Sequence, residues 1–165
     1  MAPMSGANVF AMRKRDSIRL LGREIASLHA SLDELYHSWA KTLGITGPQW
    51  KIMLVLADAG EDNELSVGNV SKILNVEASF VTTQSKILEK QGLIQRRTSR
   101  RDGRIVNMSL THRALAHLEG LAPRRDSLNE FIFAEFAPGE LDELSGKLFS
   151  LKERLKKARL KVAGP

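Results

Sequence analysis

Between residues 16 and 43 the apolar positions fall at Ile18, Leu21, Ile25, Leu28, Leu32, Leu35 and Trp39, alternately three and four apart. That spacing draws a narrow seam along one side of a helix, the pattern of a helix packed against another over several turns. The stretch holds no proline and one glycine, Gly22, and Gly44 follows as a helix stop. Such a helix is about 40 Å long. That is long for a small domain, so the helix is expected to reach past its own core. A second seam runs through Leu141, Leu144, Leu148, Leu151, Leu155, Ala158 and Val162, in a helix expected to open at Pro138. Its end is basic (Lys152, Arg154, Lys156, Lys157, Arg159, Lys161), which suits the negative end of a helix dipole.

Shorter elements lie between the seams. Thr46-Gly47-Pro48-Gln49 reads as a capping box with proline in the first turn. It opens a helix over about 48–59 with Trp50, Met53, Leu54 and Ala57 on one face. Glu64-Leu65-Ser66 is long enough only for an edge strand. Ser66 can cap a helix over 67–74 whose core contacts are expected at Val70, Ile73 and Leu74. After Asn75-Val76-Glu77 comes a helix over 78–91, burying Val81 and Leu88 with Phe80 and Ile87 at its flanks, and Gly92 ends it. Two short helices joined by three residues match a helix-turn-helix. Residues 93–98 and 105–110 read as a hairpin, with Val106, Met108 and Leu110 alternating against Asn107 and Ser109 and turn chemistry at Asp102-Gly103. Thr111 caps a further helix through Ala114, Leu115, Leu118 and Leu121. Pro123 is expected to kink or interrupt it before it resumes through Leu128, Phe131, Ile132 and Phe136.

The fold class this implies is mainly α with a small β-wing: a winged helix-turn-helix plus long terminal dimerisation helices. The expected organisation is a flexible tail at 1–15, a helical dimerisation region at 16–45 and 112–162, and a winged helix-turn-helix DNA-binding domain at 46–111.

Composition narrows the function. The 165 residues contain no cysteine, which excludes disulfides, thiol redox sensing, cysteine nucleophiles and cysteine-type zinc sites. No apolar run approaches the length of a membrane span. The mildly apolar residues 1–12 precede Arg13-Lys14-Arg15, the reverse of a signal peptide's order. A cytoplasmic protein without membrane contact is expected. The net charge of +6 invites polyanions only weakly, and its clustering says more. Arg96, Arg97, Arg100, Arg101 and Arg104 place five arginines within nine residues of the hairpin, with Asp102 as the only acid. A thin loop tipped with guanidinium groups suits the minor groove of DNA, where the potential is most negative; a solvated basic hairpin is the bland alternative. The outer face of helix 78–91 offers Ser79, Thr82, Thr83 and Lys86, small polar groups and one cation suited to a major groove. Glu77 could accept from a cytosine or only cap the helix. The two seams supply a dimer interface, and a dimer gains operator length by binding a second half-site one turn of DNA away; an intramolecular three-helix core is the alternative for either seam.

At this point a resemblance is visible. The element order, the segment Leu43-Gly-Ile-Thr-Gly-Pro-Gln-Trp50, the stretch Leu88-Glu-Lys-Gln-Gly-Leu93, and the wing Arg100-Arg-Asp-Gly-Arg104 running into Met108-Ser-Leu-Thr111 resemble the MarR family of bacterial regulators over roughly residues 16–160. The resemblance implies an obligate dimer on a pseudo-palindromic, inverted-repeat operator in double-stranded DNA, and repression relieved by a small-molecule effector. It makes Arg101 the wing-tip arginine and helix 78–91 the recognition helix. It also implies an effector cavity between the long first helix, helix 48–59 and helix 111–136. Beside the first seam lie Ser27, Ala30, Ser31 and Glu34, with Trp50 as a possible aromatic wall, a lining suited to an aromatic acid or its thioester. Two departures stand out: Ser99 occupies a position usually acidic in the family, where the acid braces the wing-tip arginine, and Gln84 one usually apolar.

Three other readings compete. His29, His37, His112 and His117 stand in no nucleophile motif, and neither a Gly-rich phosphate loop nor an HExxH pattern is present, so an enzyme is not expected. Asp33 and His37 share a helix face and could co-ligate a metal, but a zinc site without cysteine needs more ligands, and neither metal nor cofactor is expected. A helical adaptor without specific DNA binding would use the seams but leaves the arginine wing unexplained.

Overall fold

The structure, a computed structural model, describes residues 6–60 and 64–162, with side chains from residue 14 onward. The first helix, α1 (Gly6–Thr42), has 37 residues and is about 55 Å long. It starts at Gly6, so the tail expected over 1–15 is corrected for 6–15, while 1–5 lie outside the described residues. Ala7, Ala11, Met12, Arg13, Lys14 and Arg15 are good helix formers, and a helix already nucleated extends at one hydrogen bond per residue. Gly44, at φ +66°, ends the run.

The capping box forms as expected at the start of α2 (Gly47–Asp58). The Gln49 backbone N–H donates to Thr46 Oγ1 at 3.4 Å, and the Thr46 N–H donates to Gln49 Oε1 at 3.0 Å. Strand β1 (Leu65–Ser66) leads directly into α3 (Val67–Leu74), capped by Ser66 Oγ accepting from the Asn69 N–H at 3.1 Å. Asn75 closes α3 in the left-handed conformation, at φ 54°. It sets the tight turn into α4 (Ala78–Lys90). Strands β2 (Ile94–Thr98) and β3 (Val106–Leu110) form the hairpin, and the antiparallel sheet has the order β1-β3-β2. Its register pairs Ile94 with Leu110, Arg96 with Met108, and Leu65 with Met108 on the other side.

The chain divides into two compact units between Leu118 and Glu119. In the first, Trp50, Ile52, Met53 and Leu56 of α2 are buried with Val70, Val81, Leu88, Ile94 and Met108. Helix α2 is thus enclosed on more sides than the single face the sequence pattern indicated. Thr111 ties the hairpin to α5 (His112–Ile132): its hydroxyl donates to Gly92 O at 2.9 Å, and Oγ1 accepts from the Ala114 N–H at 3.2 Å. Ile73, expected in the core, is corrected: it stands 59% exposed, while Val70 and Ser71 take the inner face of α3. On so short a helix, Ser71 can go inward because its hydroxyl donates to Gly68 O at 3.0 Å.

In the second unit α5 runs through Pro123 without interruption and ends at Ile132, short of Phe136. The proline removes one backbone donor from an exposed stretch, where water can satisfy the freed carbonyl. Helix α6 (Glu140–Val162) starts two residues after Pro138, following Gly139 at φ +87°. Glu140 Oε2 caps the approach by accepting from the Ala137 N–H at 2.7 Å. Acidic residues fill the first turn and Arg159 and Lys161 the last, both matching the helix dipole. No residue of α6 is buried, and its seam residues Leu141, Leu144, Leu148 and Leu155 all stand exposed.

Helix α1 meets α2 through a polar joint. The Lys51 ammonium pairs with the Asp33 carboxylate and lies 5.9 Å from the centre of the Tyr36 ring. The hydrogen bond from Lys51 holds the Asp33 carboxyl below its ordinary range. His29 approaches Asp33 at 3.8 Å, whereas His37 is exposed. Among the described residues no group of three or more His, Cys, Asp or Glu is placed to hold a metal ion.

Candidate nucleic-acid interface

Helix α4 has two working sides. Val81, Ser85 and Leu88 form the buried one, at the i, i+4, i+7 spacing of a single face. Ser85 could not be read as core from the hydrophobic pattern, but its hydroxyl donates to Thr82 O at 3.1 Å and so goes inward at little cost. Ser79, Thr82, Thr83 and Lys86 occupy the other side; Ser79, Thr83 and Lys86 are exposed and Thr82 is half-buried. The structure therefore brings the four predicted reading residues onto one face. Glu77 precedes the helix with no side-chain capping bond.

The angle of α4 on the core is held by a contact between its flank and α2. Gln49, 3% exposed, donates from Nε2 to Gln84 Oε1 at 3.0 Å. The polar residue at position 84 thus has a polar partner, and Gln49 is satisfied twice, through the cap and through α4.

The hairpin sorts its five arginines. Arg96 and Arg97 lie in β2, not in the loop. Arg96 turns back toward α4, its side chain 12% exposed and 3.7 Å from Glu89. The expectation of five clustered wing cations is corrected to that extent. The next arginine, Arg97, is exposed but donates to Gln95 Oε1 at 2.8 Å and lies 4.0 Å from Glu64. Arg100, Arg101 and Arg104 occupy the exposed loop, and among the described residues their side chains form no ion pair.

Side chains pin the loop's backbone. Ser99 Oγ accepts from the Arg101 N–H at 3.3 Å, and Asp102 Oδ1 accepts from the Arg104 N–H at 2.9 Å. The Ser99 N–H donates to Ile105 O at 2.8 Å, closing the loop's base. Ser99 thus braces Arg101 through the main chain.

The effector candidates do not share one environment. Ser27, Ser31 and Glu34 are exposed on α1, whereas Trp50 is 1% exposed inside the core. Among the described residues its indole N–H has no hydrogen-bond partner. At that burial Trp50 is not a wall open to solvent.

Comparison with known proteins places these features. The sequence profile of the MarR family matches residues 43–105. The chain is 34% identical over 101 residues to the organic hydroperoxide resistance transcriptional regulator of Bacillus subtilis (strain 168), a match spanning 59% of this chain and 67% of the relative. Its fold is similar to a MarR/EmrR family transcriptional regulator from Acinetobacter sp. ADP1, with a TM-score of 0.71 at 24% identity over 84% of this chain and 96% of that one. It is also similar to a MarR mutant from E. coli complexed with operator DNA, with a TM-score of 0.67 at 23% identity over 82% and 96%.

Proposed function

This chain belongs to the MarR family of transcriptional regulators, DNA-binding proteins rather than enzymes, and on that premise we propose that it is a homodimeric repressor of an inverted-repeat operator, released by a small ligand. It works in the cytoplasm, with the DNA it binds. The observation that carries the reading is the pairing of one exposed polar face on α4 with an arginine loop whose guanidinium groups are uncommitted. Ser79, Thr82, Thr83 and Lys86 read base edges and phosphates in the major groove. Arg100, Arg101 and Arg104 enter the adjacent minor groove, with Arg97 on the backbone beside them.

Dimerisation rests on the seams. Leu148 is 43% exposed, and Ile18, Leu21 and Leu28 on α1 are more so. Apolar rows of that extent on a soluble protein call for a cover, and a second copy of the same seams is a self-complementary one. The effector part of the proposal, an aromatic acid or its thioester, rests on family membership and not on Trp50, which is closed inside the core. The Bacillus relative is named for organic hydroperoxide resistance, but these residues include no cysteine, so no thiol can serve as a sensor here.

Selection of bound duplexes from a random-sequence pool, followed by footprinting, tests the reading. It should yield an inverted repeat with half-site centres about 10 bp apart. A direct repeat, or protection of one half-site alone, would overturn the two-fold arrangement. Ligands are then screened for release of the protein from that operator.

A further inference from the structure

The polar face of α4 does not account for all of its exposed surface. Phe80, the third residue of the helix, stands 39% exposed beside that face and outside the core. Three residues on, and so adjacent on the helix surface, is Thr83. Its hydroxyl donates to Ser79 O at 3.1 Å, so its single proton is used within the helix. What Thr83 offers an outside partner is its methyl group and its oxygen lone pairs. Phe80 and the Thr83 methyl therefore make a small apolar spot in the first two turns of the helix.

The position of this spot selects its occupant. In a helix-turn-helix the N-terminal residues of the second helix meet base edges in the major groove. The one apolar group exposed there by the four bases is the 5-methyl of thymine, and phenylalanine and the threonine methyl are both suited to contact it. Lys86 lies on the same side of α4, one turn further along, and supplies the cation expected beside a phosphate. We infer that Phe80 and the Thr83 methyl form a thymine-methyl reader, so that each half-site carries a thymine recognised by van der Waals contact rather than by a hydrogen bond. The inference rests on the sequence-reading role proposed for α4 and names the base that role selects.

Uracil lacks only the 5-methyl, so replacing thymine by deoxyuridine isolates the contact. The full-length protein is titrated against its selected operator by fluorescence anisotropy, with each thymine of a half-site replaced in turn. One replacement should weaken wild-type binding about fourfold, the effect of one buried methyl. Phe80→Ala should bind the unmodified operator more weakly and be insensitive to that same replacement. Phe80→Leu and Thr83→Val, which keep an apolar surface, should retain most of the sensitivity, and Thr83→Ser should lose part of it. Phe80 is outside the core, and a circular dichroism melt verifies that the variants fold. A selected operator in which every replacement is silent, or equal sensitivity in wild type and Phe80→Ala, overturns this inference alone. Selection that enriches no sequence overturns the reading role of α4 and this inference with it.

Discussion

Gln49 and Gln84 lie 35 positions apart and share a hydrogen bond of 3.0 Å, Nε2 to Oε1, that fastens the flank of α4 to α2. Gln49 is nearly fully buried, so its amide depends on this partner. Gln84→Leu, the apolar choice usual at that position in the family, should leave Gln49 Nε2 unsatisfied. A loss of about 1–3 kcal/mol in unfolding free energy is expected from urea denaturation. A neutral result would mean that Gln49 finds another acceptor.

Assembly is tested on α6. Leu148 is exposed in the protomer, so Leu148→Asp should fold normally. It should sediment as a monomer and lose affinity for the two-half-site operator by about a hundredfold or more, the contribution of linked binding. A monomer that held the operator as tightly as wild type would separate dimerisation from DNA binding.

The wing should act through charge, unequally along its length. Each neutralised phosphate releases counterions, so Arg104→Ala should lower the slope of log affinity against log salt by about one. Arg97→Ala should lower it less, because Gln95 and Glu64 already engage that side chain. Arg96→Ala should leave the slope unchanged and reduce stability instead, since Arg96 is folded against Glu89. Arg101→Ala should cost most at sites with a narrow A·T-rich minor groove. Ser99→Asp keeps an acceptor for the Arg101 N–H and should leave operator affinity nearly unchanged.

The joint between α1 and α2 should be sensitive to acid. The hydrogen bond from Lys51 lowers the Asp33 pKa in the folded protein. A group with a depressed folded pKa contributes stability that is present above its unfolded value, about 4, and is lost as pH falls through the folded one. Wild type should therefore exceed Lys51→Met in stability at neutral pH, and the gap should close below about pH 4. A gap independent of pH would assign the effect to the contact of the Lys51 ammonium with the Tyr36 ring. Asp33 is partly exposed, so the gap should be small and should shrink in salt.

The sequence alone determined which elements form and in what order. Each is specified locally: α2 by Thr46 and Gln49, α3 by Ser66 and Asn75, the hairpin by alternation into Met108, the long helices by seams spaced three and four. The four residues on the outer face of α4 followed from the helical period for the same reason, since spacing fixes which side chains share a face. Tertiary structure decided what each polar or apolar side chain meets. Gln84 could not be seen to face Gln49, nor Arg96 to turn back to Glu89, because those partners are brought together by packing and not by periodicity. Ile73 was read inward from its hydrophobicity, yet the buried residues of α3 are Val70 and Ser71, and the helical period puts Ile73 off the face they share. The bracing of Arg101 by Ser99 was likewise decided in three dimensions: the acid usual at that position is absent, and a hydroxyl reaches the main-chain N–H of Arg101 once the loop has closed on Ile105.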